Sequence, residues 1–459
     1  MEIQEMKRIR HILRYACLML CVGLGVCLTA CCDEAHEGEY PLSERQGAVI
    51  VGLESSVPVT DLTLYLFGSD GTVFLRKTYG DPRELASEYI PVSAGSYTLV
   101  VVANGGRAGT VAEALPQEAT VSDLLEWLKA HAAALPSMLT ASEQVEIAQG
   151  EIERLHLTLT DGTGGIRLSA VRLLLSVPEP DLPAYTDTRA DGGKPLRCVA
   201  EVWQTGTGNR IHRRVQDCAL QADGTYQADL FLMPGDYDLR LWADWDGGHY
   251  NADDLGKVTV LTDNYVANGE TDKKDAYYAT ASLSVVDPSV STEEAGEVAV
   301  ALVRPFAKYR LIATDVEAYR NLIEEGEDLP DIGDLQVRVT YEGFFPTGFN
   351  VATGRPNDAL NTGIHYTSEP AVAEDYDAEE NCQVGADFVL TNGEESFATV
   401  TIQMVDANTG ETVATVQHVN VPYRRGHLTT VTGHFLTAGK VPGGVQIDTE
   451  WGDDIVIEF

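Results

Sequence analysis

Basic side chains are scarce in this 459-residue chain. It carries 32 Lys and Arg against 70 Asp and Glu, and its formal net charge is −38 at pH 7. A surface this acidic repels phosphate groups, so the composition argues against nucleic acid as a partner and favours solubility.

Cysteine is also scarce outside the N-terminal region. Of eight cysteines, only Cys198, Cys218 and Cys382 lie beyond residue 32. Three cysteines are too few for a disulfide scaffold. Cys198 and Cys218 lie in strand-like segments that could be neighbours, and the sequence is equally compatible with a disulfide bond and with two free buried thiols.

Catalytic motifs are absent from the sequence. The segment "HEGEY" at residues 36–40 has Tyr40 where a zinc-binding HExxH motif needs its second histidine, and there is no G-x-S-x-G, phosphate-binding loop or CxxC. We therefore predict a protein that is not an enzyme, with no catalytic residues and no metal ion.

The N-terminal region has the features of an export signal. Basic residues between Lys7 and Arg14 precede an apolar run from Tyr15 to Ala30. That run is shorter than the roughly 20 apolar residues of a membrane-spanning helix, and it ends on small residues as cleaved signals do. Residues 1–30 are therefore predicted to be a signal peptide that is removed.

The segment "LTAC" at residues 28–31 resembles the bacterial lipobox. That resemblance implies that Cys31 is lipidated and becomes the first residue of the mature protein, with the covalent lipid as its only cofactor. A multiply acylated cysteine holds a protein at a membrane almost permanently. The expected location is the cell outer membrane, with the protein anchored by lipid and exposed on the surface.

An acidic linker is predicted at residues 31–45. Its carboxylates resemble the tag that exports Bacteroidetes lipoproteins to the outer face of the outer membrane, and a plain solvated linker is the alternative. The residues concerned are Asp33, Glu34, Glu37 and Glu39.

Strand patterns dominate the rest of the chain. Alternating or continuous apolar runs at residues 62–67, 97–103, 166–177, 335–341 and 398–405 are separated by Gly, Asn, Asp and Pro. A turn followed by tyrosine and a strand occurs twice, at Gly95-Ser96-Tyr97 and Gly235-Asp236-Tyr237, and ends on Ala-Asn or Ala-Asp. We predict an all-β fold of tandem antiparallel β-sandwiches, at residues 46–164, 165–304 and 305–459.

Helix is predicted at two places. Thr120 and Asp123 fit an N-terminal cap for a helix over residues 120–135, and leucines recur on one face of that segment, at Leu124, Leu125, Leu128 and Leu135. A shorter helix is expected at residues 315–325.

Three segments together resemble the fimbrillin superfamily of Bacteroidetes surface lipoproteins. They are the turn-Tyr-strand pattern at residues 94–104, "VRPFAKYRLIATDV" at 303–316 and "VPYRRGHLTTVTGHFLT" at 421–437. "GFFPTGFNVATGRPNDA" at 343–359 is similar to the fingerprint of an uncharacterised subgroup. The resemblance implies transthyretin-like or Ig-like sandwiches that polymerise into surface fibres by strand donation, or that anchor such fibres.

Strand donation requires a donor segment and an open acceptor groove. Residues 445–459 are a candidate donor, with the last strand of the third sandwich as the alternative. Residues 47–53 could be a native first strand. In stalk-type relatives a protease cuts after an arginine to free the groove, and Arg45 is the nearest candidate, with an ordinary exposed arginine as the alternative.

The turn at residues 243–255 holds the remaining candidate site. Its carboxylates could bind Ca²⁺ through oxygen atoms, although their spacing misses the calcium-loop pattern, and a solvated loop is the alternative. They are Asp244, Asp246, Asp253 and Asp254. The aromatic residues Trp242, Trp245 and Tyr250 could stack on a sugar or belong to the core.

Two further groups have structural interpretations. The basic pairs Arg213-Arg214 and Arg424-Arg425 have the appearance of solvated charges on strand edges. The aromatic residues Phe344, Phe345 and Phe349 are interpreted as a turn packed onto the core.

Two functions remain from the sequence. The first is a lipid-anchored structural or adhesion protein, a fimbrial anchor or accessory subunit that assembles by strand donation. Its partners would be the outer membrane, through the lipid, and fimbrial subunits or ligands on host or bacterial surfaces. The second is a surface lipoprotein that binds glycans for nutrient capture.

Overall fold

The structure is a computed structural model, and it describes residues 46–69, 71–105, 115, 119–178, 195–245, 248–262, 274–286, 296–360, 363–368, 381–391, 395–449 and 455–458. Strands dominate these residues, which confirms the predicted all-β class. Residues 46–459 form one compact unit.

The first sandwich packs a three-stranded sheet on a five-stranded sheet. The strands of the smaller sheet, in spatial order, are β4 (Ile90–Ser93), β1 (Gln46–Glu54) and β7 (Ile152–Thr158). The larger sheet contains β3 (Val73–Tyr79), β2 (Leu62–Phe67), β5 (Gly95–Ala103), β6 (Leu139–Ile147) and β8 (Thr160–Asp161). Buried residues of both sheets, among them Val49 and Leu99, share one core.

Two helices accompany this sandwich, the short α1 (Pro82–Ala86) and α2 (Val121–His131), which a 3₁₀ turn at Ala132–Ala134 extends. Thr120 Oγ1 donates to Asp123 Oδ2 at 2.8 Å, and the amide of Asp123 donates back to Thr120 Oγ1 at 3.2 Å. This reciprocal cap confirms the predicted start of α2. Leu124 and Leu128 are fully buried against the outer face of the larger sheet.

The second sandwich is one seven-stranded sheet folded onto itself. Its strands, in spatial order, are β16 (Ala276–Val285), β13 (Gly235–Asp244), β10 (Leu196–Gln204), β11 (Arg210–Leu220), β12 (Tyr226–Leu232), β9 (Ser169–Ser176) and β17 (Gly296–Ala301). β11 pairs with β10 along most of its length and with β12 only through Ala219 and Leu220. The sheet therefore bends within β11, and its two halves enclose a shared core.

The third sandwich packs a five-stranded sheet on a four-stranded sheet. The first contains β23 (Cys382–Leu390), β18 (Phe306–Ala313), β26 (Leu428–Gly433), β27 (Gly444–Thr449) and β28 (Ile455–Glu458). The second contains β22 (His365–Thr367), β19 (Leu335–Glu342), β24 (Glu395–Asp406) and β25 (Thr412–Arg424). The predicted second helix is α3 (Val316–Glu324), and a 3₁₀ turn at Ile332–Asp334 precedes β19.

A small sheet joins segments that are far apart in the chain. It contains β14 (Tyr250–Asn251), β15 (Val258–Val260), β20 (Phe345–Asn350) and β21 (Arg355–Leu360). Val258 pairs with Phe349, so residues from both sides of the sequence boundary proposed near residue 305 share this sheet.

The repeated turn-tyrosine motif has a repeated structural role. Tyr97 OH donates to the carbonyl of Ser93 at 2.8 Å, and Tyr237 OH donates to the carbonyl of Met233 at the same distance. In both copies the tyrosine ties the strand to the residue four positions earlier and is itself buried. The sequence echo therefore reflects one supersecondary unit used twice.

Candidate functional site: strand positions and sandwich junctions

The first predicted strand segment, residues 47–53, is a native strand of the first sandwich. As part of β1 it pairs antiparallel with β4 from Gln46 to Val49 and parallel with β7 from Ala48 to Glu54. A Cβ atom at Gly47 would lie 2.5 Å from Ala148 O, so this position accepts only glycine without a backbone shift. β1 therefore fills the position between β4 and β7 from within the chain.

Arg45 and Cys31 lie outside the described residues, but the position of β1 bears on the cleavage hypothesis. β1 begins at Gln46, immediately after Arg45, and the next Lys or Arg along the chain is Arg76, inside β3. A cut after Arg45 would leave β1 attached, and a cut after Arg76 would sever the larger sheet. Cleavage after Arg45 or after Arg76 therefore does not release β1 alone from the first sandwich.

The C-terminal candidate donor segment is also paired within the chain. Residues 445–449 belong to β27, which pairs with β26, and β28 pairs with β27 through four residues, from Ile455 to Glu458. This arrangement agrees with the alternative interpretation of residues 445–459, in which they form the end of the third sandwich rather than a donor segment. In the described part of the chain β28 is one of the two edge strands of its sheet, and β23 is the other.

The aromatic residues predicted to stack on a sugar are mostly inside the protein. Trp242 is 1% exposed and Tyr250 is 4% exposed, and their ring centroids are 5.2 Å apart. They pack with Phe306 and Phe349 in a core between the second and third sandwiches. Sugar stacking needs exposed ring faces, so the stacking prediction is wrong for Trp242 and Tyr250.

Trp245 is only partly buried, and its ring packs edge-on against Tyr226 and Tyr277. It lies against the core of the second sandwich, whereas Trp242 and Tyr250 lie in the core that joins the second and third sandwiches. The three predicted aromatic residues therefore do not form one surface.

The carboxylates of the same turn do not converge on a cation position. Asp244 is buried, accepts two hydrogen bonds from the Arg197 guanidinium at 2.9 and 2.6 Å, and accepts a third from Trp242 Nε1. Asp253 and Asp254 are exposed, and Asp254 Oδ1 caps the amide of Gly256.

Asp246 lies outside the described residues, and among those described no group of three or more His, Cys, Asp and Glu side chains is placed to hold a metal ion. The calcium prediction is therefore wrong for Asp244, whose charge is neutralised by Arg197.

One buried ion pair joins the second and third sandwiches, and another lies beside it within the second sandwich. Lys274 Nζ lies 2.7 Å from Asp387 Oδ1, and both side chains are almost fully buried. Asp387 also accepts hydrogen bonds from Tyr341 OH at 2.6 Å and from the amide of Phe388. Burial lowers the pKa of Lys274, while the charge of Asp387 opposes that shift. Close beside it in sequence, Asp275 accepts two hydrogen bonds from the buried guanidinium of Arg304.

Arg425 and Arg213, which were predicted to be solvated, instead donate hydrogen bonds between the sandwiches. Arg425 donates to Tyr278 OH at 2.9 Å and to the carbonyl of Gly354 at 2.7 Å, and so connects the third sandwich to strand β16 and to the turn before β21. Arg213 donates from its side chain to the carbonyl of Ala252 and from its backbone amide to Ser96 Oγ. The edge-charge interpretation is wrong for both residues.

The junction between the first and second sandwiches is centred on a buried glutamate. Glu201 accepts hydrogen bonds from Arg210 at 2.8 Å and from Trp203 Nε1 at 3.1 Å. Arg210 also contacts Glu146 of β6 at 3.0 Å, so one guanidinium joins carboxylates from two sandwiches. Sequence reasoning missed this cluster, because its members are separated by up to 64 positions.

The aromatic turn near residue 345 is only partly packed as predicted. Phe345 and Phe349 are buried, but Phe344 is 76% exposed. The register of β19 and β24 pairs Glu342 with Thr399, so Phe344 and Phe397, which is 72% exposed, lie near the same end of this strand pair. They form an exposed apolar feature that the sequence analysis did not identify.

The three cysteines in the described part of the chain are free thiols. Cys198, Cys218 and Cys382 are buried and unbridged. Cys198 and Cys218 lie on β10 and β11 as diagonal neighbours, since Leu196 pairs with Cys218 and Cys198 pairs with Gln216. Of the two alternatives that the sequence left open, the structure has two free thiols.

Within the described part of the chain, no helix has the length and apolar character needed to cross a membrane. Comparison with known protein families gives two matches. Residues 165–459 match a family of unknown function, DUF6562, and residues 53–179 match the family of fimbrillin-A associated anchor proteins Mfa1 and Mfa2. No curated protein sequence matches the chain.

Solved structures give more distant similarities. The fimbrial anchor protein Mfa2 from Porphyromonas gingivalis is 12% identical, with 63% of this chain and 99% of that chain covered and a TM-score of 0.35. A fimbrial assembly protein from Parabacteroides distasonis is also 12% identical, with 63% and 98% covered and a TM-score of 0.33.

The family matches agree with a cell-surface protein associated with fimbriae, and the matched anchor family is described by a structural role rather than by a reaction. The DUF6562 match spans more than half of the chain. The chain therefore belongs to the DUF6562 family, and its N-terminal part is related to the fimbrillin-A associated anchor proteins, which confirms the predicted resemblance to the fimbrillin superfamily.

Proposed function

We propose that this protein is a lipid-anchored terminal subunit, an anchor or accessory subunit, of a surface fimbria. The leader and the "LTAC" segment supply the tether, with acylated Cys31 held in the outer membrane. The acidic linker of residues 31–45 then separates the membrane from the first sandwich. The match of residues 53–179 to fimbrial anchor proteins supports this role.

The observation that carries the proposal is the filled position of β1. A stalk subunit that accepts a neighbour's strand must lose its own strand from the acceptor groove. Here β1 is held on both edges, by four residue pairs with β4 and seven with β7. No Lys or Arg lies between Gln46 and Leu75, so an arginine-specific protease has no site at which it could remove β1 alone. This arrangement supports an end position in a fibre.

A fimbrial partner then has to dock elsewhere. In the described part of the chain, β28 is an edge strand of the five-stranded sheet. It lies far along the sequence from the lipidated cysteine. An unpaired strand edge offers backbone donors and acceptors to an added strand. We propose that a strand donated by the next subunit adds to β28, which keeps its own pairing with β27.

The experiment is to measure the intact mass and the N-terminal peptide of the native protein from washed outer membranes and from sheared surface material. A full-length, acylated form that begins at Cys31 and is confined to the membrane fraction is expected. A shortened form that begins after an arginine and is enriched in sheared fibres would overturn the terminal-subunit role.

Two variants separate the tether from docking. Cys31→Ser should release the protein from the membrane without altering its folded domains. Deletion of residues 455–459 should leave membrane attachment intact and abolish copurification with fimbrial subunits. Retention of the fimbrial subunits by the truncated protein would exclude β28 as the docking strand.

A further inference from the structure

Three strand pairs in the described residues run parallel, although the remaining pairs are antiparallel. β1 is parallel to β7 over seven residue pairs, β9 is parallel to β17 over six, and β18 is parallel to β26 over six. In each sandwich the parallel pair joins the first strand to a strand at or near the end of that sandwich in sequence.

This pairing fixes how tension along the chain acts on the strands. The chain enters the first sandwich at the start of β1, and after the end of β7 only the two-residue strand β8 remains before the chain leaves it. The start of β1 and the end of β7 are at opposite ends of a parallel ladder. The second sandwich repeats the arrangement, with entry at the start of β9 and exit at the end of β17. Tension therefore pulls the paired strands lengthwise past each other, in shear.

Shear and peeling load hydrogen bonds differently. Parallel ladders have evenly spaced bonds, and in shear these bonds share the load and must break together. When two strands are pulled apart from the same end, the bonds break one after another, each under the full force. Because forced unfolding is governed by the unfolding rate, the shear arrangement raises the force that the same ladder survives.

We propose that β1/β7 and β9/β17 are two mechanical clamps in series, which carry tension between the N-terminal tether and the third sandwich. The physiological source of that tension rests on the function proposed above, a lipid anchor at one end and a fibre at the other. The clamps themselves are a property of the folded chain.

The entry strands are well placed for this task, because neither is at a sheet edge. β1 lies between β4 and β7, and β9 lies between β12 and β17. Val49 and Val51 of β1, and Leu173 and Leu175 of β9, are buried in the cores of their sandwiches. Pulling out either entry strand therefore breaks two ladders and exposes apolar side chains to water.

The test is single-molecule force spectroscopy of the whole mature chain in two pulling geometries. Cys31→Ser and Cys32→Ser remove the two thiols at the N-terminus of the mature chain, and the three remaining native thiols are buried. An N-terminal handle is combined with a second handle on an exposed turn, through either Asn408→Cys or Ala148→Cys. The first places β1/β7 in shear, and the second peels β1 from β7, because Ala48 pairs with Ile152 near residue 148.

Unfolding of the first sandwich is identified by the contour length released, about 40 nm for residues 46–158 with the handle at residue 408 and about 36 nm for residues 46–148 with the handle at residue 148. We expect its rupture force to be several-fold higher with the handle at residue 408 than with the handle at residue 148. The second sandwich should also break at high force in the first geometry. Equal rupture forces in the two geometries would overturn the proposal.

Both substitutions are at exposed positions, and equal urea midpoints of the two proteins exclude a difference in stability as the cause of a difference in force. The measurement uses neither lipid nor fimbriae. Its failure would leave the anchor function standing, whereas failure of the membrane and shearing experiment would leave the clamps standing.

Discussion

The pair Lys274 and Asp387 gives a quantitative prediction about how the second and third sandwiches are joined. We consider the substitution Asp387→Asn, which removes the negative charge and keeps the size of the side chain. Asp387 is fully buried, and Lys274 is 4% exposed. After the substitution the ammonium group lies in the interior without its carboxylate partner.

The expected cost follows from burial. Removing one member of a buried ion pair destabilises a protein by about 3–5 kcal/mol, because the remaining charge has lost its hydration without compensation. Asparagine keeps one acceptor oxygen, whereas both carboxylate oxygens of Asp387 accept hydrogen bonds, so the change removes the charge together with one acceptor. We expect the free energy of unfolding to fall by this amount.

Equilibrium urea denaturation at pH 7 measures the change, with the midpoint shift converted through an unchanged m value. The chain supplies a matched control in Lys257 and Asp358. Their atoms are also 2.7 Å apart, but the side chains are 53% and 45% exposed. Because an exposed pair contributes little, Asp358→Asn should shift the urea midpoint much less than Asp387→Asn does.

The pH dependence supplies a second check on the cause. Burial already lowers the pKa of Lys274 and Asp387 opposes that shift, so loss of the carboxylate lowers the pKa further. A lysine with a lowered folded pKa binds fewer protons than the unfolded chain, so stability rises with pH in that range. The defect of Asp387→Asn should therefore be smaller at pH 9 than at pH 7.

The double variant Lys274→Met with Asp387→Leu should recover most of the lost stability, because it removes both charges. The reasoning is refuted if Asp387→Asn and Asp358→Asn have equal effects, or if the defect of Asp387→Asn does not shrink as the pH rises.

Three further predictions concern single positions. Burial lowers the pKa of His212 to about 4 from 6.5, so the unfolded state binds a proton that the folded state does not, and about 2 kcal/mol of stability should be lost between pH 7.5 and pH 5. His212→Gln should flatten that slope in urea denaturation, and an unchanged slope would contradict it. Gly165→Ala places a Cβ atom 1.7 Å from Thr140 O, so it should cost at least about 1–3 kcal/mol, whereas Gly296→Ala, with open space around it, should be near neutral by the same assay. Asp123→Ala removes the reciprocal cap of α2 and should cost about 1 kcal/mol. The loss is measured as a shift in the thermal midpoint, and Asp123→Asn, which keeps an acceptor oxygen, should lose less.

Elements whose pattern is local were predictable from the sequence. Residues 62–67 and 335–341 carry the apolar content of strands and form β2 and β19. Thr120 and Asp123 define the start of α2 because a capping box involves only residues three positions apart. In these cases the residues that decide the structure are adjacent in the sequence.

The junctions were not predictable in the same way. Lys274 and Asp387 are 113 positions apart, and nothing in the local sequence of either indicates the other. The local sequence groups Trp242 with Trp245 and Tyr250 in one turn, and this grouping suggests a surface that stacks on a sugar. What buries it is a sheet containing Phe349, more than 100 residues later in the chain.

A local signal for the junctions nevertheless exists in the strands themselves. A strand with one face in water alternates between apolar and polar residues, whereas a strand covered on both faces is apolar throughout. All six residues of β2 are buried, and so are the last four of β13, which include Trp242. Continuous apolar runs in this chain therefore mark the faces that bind a neighbouring element.

This signal connects the junctions to the proposed clamps. The outer face of β2 is covered by α2, and the outer face of β13 is covered by the small sheet that continues into the third sandwich. The second and third sandwiches thus share an apolar core and the buried pair of Lys274 and Asp387, and the first and second are joined by the contacts of Arg210 with Glu146 and Glu201. Tension passing from one sandwich to the next then reaches the parallel strand pairs without being absorbed by loose connections, so the resistance of the chain is set by the ladders β1/β7 and β9/β17.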